Sequence, residues 1–290
     1  MMKQPMFMLR TVAIAAIASL GLSAAALAAG GGPKVEKQSW SFSGITGQFD
    51  EAQLQRGFQV YKEVCAACHG LARLPFRSLT GVGGPNFPEN DVKRLAAEYE
   101  VTDGPNDDGE MFKRPGRMSD TFPPLYANEK EARSIHNGAY PLDLSLITKA
   151  RGIPHAEGIF THVLTMGQEI LTGYQEGGAD YLYALLVGYR DEAPEGFNLQ
   201  DGLYYNVSYS GQQIAMPDPF AGGDGQVEYQ DGTPATVENY ARDVTAFLFW
   251  VADPTHDQRK QTGWLVLIYL LITSVLLYLA KLAIWRNVDH

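Results

Sequence analysis

The chain has 290 residues, 33 acidic against 23 basic side chains, and a formal net charge of −10. That balance argues against a nucleic-acid partner and for an acidic, solvated surface that attracts a basic one. The length suits one to two domains, and the chain has only 2 cysteines, so no disulfide framework is left if a cofactor takes both.

The N-terminus reads as a secretory signal. Lys3 and Arg10 form a basic start, Thr11 to Leu22 is an apolar run too short to span a bilayer, and Ala26-Leu27-Ala28 is an A-x-A cleavage site. Cleavage after Ala28 is expected; an uncleaved anchor is the rival reading. Residues 30–47 are small, polar and aperiodic, a loose entry strap. Asp50 with Gln53 resembles a capping box, and Leu54, Phe58 and Tyr61 follow at helical spacing, so a helix delivers Cys65.

Cys65-Ala66-Ala67-Cys68-His69 is a C-x-x-C-H run, the attachment pattern of a c-type haem. Two thiols three positions apart each add to one vinyl group. The adjacent imidazole then falls under the iron as the proximal ligand. Two rivals use the same cysteines. A thioredoxin-like dithiol belongs near a βαβ pattern, which this sequence lacks, and a disulfide across two residues leaves His69 without a role.

Gly81 to Pro88 reads as loop and Asp91 to Glu100 as a short helix with Val92, Leu95 and Tyr99 on one face. Val101 to Glu110 is an exposed acidic loop carrying Asp103, Asp107, Asp108 and Glu110. Asn128 caps a helix running to Asn137, closed by Gly138 and stopped by Pro141. Gly152 to Gly178 is a glycine-rich lobe, with one short helix over 160–166. Asp180 to Tyr189 is a helix whose apolar stripe is Tyr181, Leu182, Leu185, Leu186 and Tyr189. After a loop over 194–231, Thr233 and Pro234 open an amphipathic helix bearing Val237, Tyr240, Ala241, Val244, Phe247, Leu248 and Val251. Trp264 to Ala280 carries no charge; extended back to Gln261 it reaches the about 20 residues a membrane span needs, with Trp264, Tyr278 and Trp285 near its ends. Flanking charges nearly balance, so the signal peptide sets the topology, with the domain outside and the last residues in the cytoplasm.

An iron held by one histidine keeps an open site or takes a second ligand. The candidates are His136, His155, His162, His256, Met111, Met118, Met166 and Met216. Met216 is the best placed, because Ile214-Ala215-Met216-Pro217-Asp218-Pro219 has two prolines that fix the backbone beside its thioether. Ordinary packing of Met216 remains the alternative. His256 sits against the expected membrane helix, and Met166 and His162 lie in the glycine-rich lobe.

Taken in order, the blocks Arg114-Pro115-Gly116-Arg117, Pro141-Leu142-Asp143-Leu144-Ser145, Tyr181-Leu182-Tyr183-Ala184-Leu185-Leu186-Val187-Gly188-Tyr189, Gly202-Leu203-Tyr204-Tyr205-Asn206 and Ile214-Ala215-Met216-Pro217 resemble the cytochrome c1 family from about Trp40 to the C-terminus. The resemblance implies an all-α fold: a class I cytochrome c-like domain with inserted loops, then one C-terminal transmembrane helix. It implies the domains 1–28 (signal peptide), 29–258 (periplasmic cytochrome c domain), 261–285 (transmembrane helix) and 286–290 (cytoplasmic tail) of a single-pass protein in a bacterial inner membrane. It implies one covalently attached haem c, on Cys65 and Cys68, with His69 and Met216 as the iron ligands. Arg151 matches an arginine facing a haem propionate, and Asn137, Tyr181 and Tyr209 match haem-pocket positions. The role implied is electron transfer from the Rieske iron–sulfur protein to a soluble cytochrome c, beside cytochrome b in the cytochrome bc1 complex, with no catalysis by the chain alone. Two departures stand out. Leu142 replaces the second proline of the family's P-P-D-L-S block, and 152–178 is longer than in short members. The competing readings are another tethered cytochrome such as an oxidase subunit, a haem-based gas sensor, and a peroxidase.

Overall fold

The computed structural model describes residues 35–44, 46–152, 163–164, 167 and 177–286. The expected signal peptide, most of the 160–166 helix, and His155, His162 and Met166 lie outside the described residues. Helices predominate: α1 (Glu51–Val60), α2 (Glu89–Ala97), α3 (Glu129–Ile135), α4 (Ile147–Ala150), α5 (Gly177–Leu186), α6 (Val237–Ala252) and α7 (His256–Trp285). Two small antiparallel pairs interrupt them, β1 (Glu100–Asp103) with β2 (Phe112–Pro115) and β3 (Tyr204–Tyr205) with β4 (Gln213–Ile214).

The core is the crossing of α1 and α6. Leu54 and Phe58 of α1 meet Tyr240, Val244 and Phe247 of α6, all buried. Gly57 makes the close approach possible: a Cβ there would lie 2.1 Å from the Asp243 carbonyl oxygen and 2.6 Å from Phe247 Cβ. The polar end of the same face is charge-compensated. Arg56 Nε donates to Asp243 at 2.7 Å and its Nη1 to Asp231 at 2.7 Å, while Gln53 Nε2 donates to Asp243 at 3.0 Å. A carboxylate as buried as Asp243 needs such partners to offset its desolvation.

Asp50 caps α1 as expected, accepting from Gln53 N at 3.2 Å. The Gln53 side chain crosses to α6 to reach Asp243. The helix α2 begins two residues earlier than the sequence suggests and ends before Tyr99, whose ring joins Phe76 and Phe122 at centroid distances of 5.3 Å each. Helix α6 starts at Val237 because Thr236, and not Thr233, is its cap: Thr236 Oγ1 accepts from Asn239 N at 3.3 Å, while Thr233 N is spent on Asp231. The acidic loop is the tip of the β1–β2 hairpin, where Arg114 is held by Asp103 and by both carboxylate oxygens of Asp120.

Helix α7 leaves the domain with its apolar side chains exposed from Leu265 onward, long and apolar enough to cross a membrane once. Its first turn belongs to the domain. His256 is buried against the rings of Phe42, Phe49 and Phe249, and Lys260 Nζ donates to the carbonyls of Phe42 (2.7 Å) and Gly47 (3.1 Å).

Candidate functional site

The last turn before the motif widens. Tyr61–Cys65 is a π-helical turn closed by Ala66 N donating to the Tyr61 carbonyl at 2.8 Å, a feature often found where a helix serves a functional site. Cys65 and Cys68 are half-buried free thiols, and His69 N returns to the Cys65 carbonyl at 2.9 Å. Burial, and then the neighbouring Cys68, push the Cys65 thiol up to about 12. Dithiol exchange needs a low-pKa thiolate, so this environment disfavours the redox-pair reading.

His69 sits between two backbone contacts. Its Nδ1 donates to the Leu142 carbonyl at 2.7 Å, and its own carbonyl accepts from the Tyr61 hydroxyl at 2.9 Å. A carbonyl can only accept, so the proton is on Nδ1 and the lone pair is on Nε2. Burial holds the imidazole below its ordinary pKa, His136 adds to this, and the Leu142 bond opposes it. Neutral, oriented and with Nε2 unprotonated, His69 has the hydrogen-bonded arrangement usual for a metal-binding imidazole. Burial also raises the Tyr61 phenol, so it stays a donor.

The block 141–145 clamps the chain just after the motif. Asp143 accepts from Ala72 N at 2.7 Å and Ser145 N at 3.0 Å, Leu144 N donates to Gly70 O at 2.9 Å, and Arg73 N donates to Ser145 Oγ at 3.1 Å. At position 142 the clamp uses the carbonyl, and the leucine side chain is exposed. The departure from proline therefore falls where the backbone does the holding. On the other side, the Tyr126 hydroxyl donates to the Cys68 carbonyl (3.3 Å) and pairs with His136 Nε2 (2.7 Å).

A second group of predicted positions lies on α4, α5 and the Met216 segment. Arg151 caps the end of α4, and Gly178 in the first turn of α5 comes so close that a Cβ there would lie 1.7 Å from the Thr148 carbonyl oxygen and 2.7 Å from that of Arg151. This contact sets the end of α4 against the turn of α5 that leads to Tyr181. The Tyr181 phenol is raised by burial and then by Tyr209, with Arg151 acting the other way. Farther along the chain, the Tyr189 hydroxyl donates to the Met216 carbonyl at 3.1 Å. Met216 itself is half-buried.

The other predicted positions fall elsewhere. Asn137 is exposed at the C-terminal end of α3 with φ +51°, where Gly138 N bonds back to Arg133 O at 2.7 Å. Met111 is exposed on the hairpin, Met118 packs on the core, and His256 lies in the aromatic box at the root of α7. Sequence reasoning missed the parts played by Tyr61, Leu142, Tyr126, Tyr189 and Asn206. The last two stand in blocks that carried the family resemblance, but no spacing rule assigns them a partner.

The donor set fits a c-type haem: two thiols and an imidazole with free Nε2 on one segment, and a thioether and an arginine–tyrosine cluster on another. Among the described residues no group of three or more His, Cys, Asp or Glu side chains is arranged to hold a metal ion by itself.

Comparison with known proteins gives a consistent result. Residues 40–288 match the model of the Cytochrome C1 family. The chain is 46% identical over 285 residues to a cytochrome c1 of Blastochloris viridis, covering 96% of this chain and 98% of that one. It is 39% identical over 292 residues to a cytochrome c1 of Rhodospirillum rubrum, covering 96% and 97%. A Bradyrhizobium diazoefficiens protein named cytochrome b/c1 is 45% identical over 281 residues, which is 96% of this chain but spans only 40% of that longer protein.

Proposed function

This chain belongs to the Cytochrome C1 family, and on that premise we propose that it is the membrane-anchored haem subunit of a cytochrome bc1 complex, passing electrons without catalysing a reaction alone. Cys65 and Cys68 would hold one haem through thioether bonds, and His69 Nε2 and the Met216 thioether would be its iron ligands. When bound, that haem supplies one-electron exchange between ferric and ferrous iron. The chain's own residues do the rest. The Leu142 carbonyl keeps His69 in the ligating tautomer, Arg151 with Tyr181 and Tyr209 offers cationic and hydroxyl partners to a propionate, and Asn137 is the most peripheral of the pocket positions. Histidine–methionine ligation raises the iron potential and closes the iron to small ligands.

The Rieske iron–sulfur protein would be the electron donor and a soluble cytochrome c the acceptor. The exposed acidic tip with Asp107, Asp108 and Glu110 suits a basic acceptor. Cytochrome b would embrace the membrane helix; the name of the Bradyrhizobium relative, which joins b with c1 in a longer protein, supports this. The signal sequence over 1–28 would place the domain (29–258) in the periplasm of a bacterial inner membrane, with 261–285 in the bilayer and 286–290 inside.

The observation that carries this reading is the Nδ1–Leu142 bond at 2.7 Å, which leaves His69 ready to bind iron beside two thiols. The test is Met216→Leu in the membrane-extracted complex. Its haem should remain attached, with a sharply lowered midpoint potential and a reduced spectrum that shifts with carbon monoxide, whereas the wild-type spectrum should not shift. A wild-type protein that binds carbon monoxide at neutral pH, or a variant that keeps the high potential, removes the proposal.

A further inference from the structure

The segment that carries Met216 is poor in its own fastenings. Pro217 and Pro219 have no N–H to give. On one side Ile214 is paired in the two-residue β3–β4 ladder, and on the other Asp218 caps Phe220 N at 2.8 Å, with Phe220 buried. Between these ends, among the described residues, the main-chain bond held by Met216 comes from the Tyr189 hydroxyl at 3.1 Å.

Tyr189 is itself fixed from both sides. It leaves α5 through Gly188, where a Cβ would lie 2.7 Å from Asn206 Oδ1 and 2.9 Å from Ser208 Oγ, so only glycine lets the two chains meet. Val207 N donates to the Gly188 carbonyl at 3.0 Å, and Tyr189 bridges Asn206 in antiparallel fashion. Asn206 is fully buried and bonded through both atoms of its amide: its Nδ2 donates to Leu185 O at 2.8 Å, and its Oδ1 accepts from Ser208 N at 2.9 Å and Tyr209 N at 3.1 Å. The same asparagine thus ties the end of α5, the backbone of Tyr209 and, through Tyr189, the methionine segment.

The geometry points to Tyr189 as a positioning residue for the sixth ligand: its hydroxyl holds the Met216 carbonyl so that the thioether is presented from a segment that cannot fasten itself. This rests on the reading of Met216 as an iron ligand. A carbonyl can only accept, so in this contact the Tyr189 hydroxyl is the donor. Loss of one such bond corresponds to about a three- to tenfold rise in the population with the ligand released.

The experiment is Tyr189→Phe in the full chain, in its detergent-extracted complex and with haem content measured first. The expected result is wild-type haem content, a lower midpoint potential, and a carbon-monoxide-reactive fraction raised by that three- to tenfold factor while remaining below that of Met216→Leu. A Tyr189→Phe protein matching the wild type in both potential and carbon monoxide response overturns the proposal if Met216→Leu does respond. If Met216→Leu also does nothing, the ligand assignment has failed and the proposal falls with it. A Tyr189→Phe chain that never acquires haem overturns it as well, because the hydroxyl then serves folding and not ligation.

Discussion

The hydrogen on His69 Nδ1 goes to a carbonyl 73 positions away in sequence, at Leu142. The residue after Leu142 ties down the same stretch of chain, since the Asp143 carboxylate takes Ala72 N on one oxygen and Ser145 N on the other. Asp143 is thus both the cap of the short turn that follows it and the latch over the segment leaving the haem motif. Asp143→Ala removes two charge-assisted acceptors and should cost about 1–2 kcal/mol. Asp143→Asn keeps one acceptor oxygen and should recover about half. Guanidinium unfolding followed by haem absorbance measures both, and equal stabilities for alanine and wild type would show the latch to be idle. Cys65, Cys68 and His69 stand out in the sequence unaided, because a C-x-x-C-H run is defined by those side chains at that spacing. Leu142 does not stand out as the partner of His69, because that contact is made by a carbonyl, and every residue has one.

At the level of elements, the legible part was the part with a period. The stripes of α1 and α6 appear in the sequence as they appear in the core, and Asp50 was readable as a cap because its bond is local. Gln53 was not, since its side chain leaves its own helix for Asp243 of α6. The β1–β2 hairpin does not show in the sequence, where 101–110 reads as loop, because its strands are short and largely exposed and have no alternation to detect. What holds α1 against α6 at this distance is the missing side chain of Gly57. Gly57→Ala forces a methyl group into the Asp243 carbonyl and Phe247 Cβ. The helices must then separate, loosening the Arg56–Asp243 pair. Overpacking of this kind costs about 1–3 kcal/mol. The denaturation midpoint should fall with an unchanged denaturant slope, and less haem should be incorporated per chain because α1 delivers Cys65. A variant as stable as the wild type would mean that the crossing yields more easily than its geometry implies.

For the molecule as a whole, the decisive feature is that domain and anchor share one helix. Helix α7 has 30 residues and is about 45 Å long at the usual rise, against a hydrocarbon core of about 30 Å. Its first turn is therefore free to belong to the domain, where His256 closes the aromatic box, Asp257 accepts from Phe49 N at 3.1 Å, and Lys260 grips the carbonyls of Phe42 and Gly47. The apolar run was legible from composition alone. The junction was not, because Lys260 looks like an ordinary flanking charge until the carbonyls of Phe42 and Gly47 are seen to meet it. Two truncations separate anchor from junction. A chain ending at Gln261 loses the membrane span but keeps every one of these contacts, and should be a soluble protein with an unaltered haem spectrum and melting point. A chain ending at Pro254 also loses the Lys260 bonds and the buried imidazole, at a cost of about 3 kcal/mol or more from the charge-assisted bonds. It should melt well below the longer chain, with faster amide exchange at Phe49, whose N–H has lost its carboxylate. If both truncations melt together, the first turn of α7 is a passive tether, and the orientation of the domain over the membrane must be set by the proteins around it.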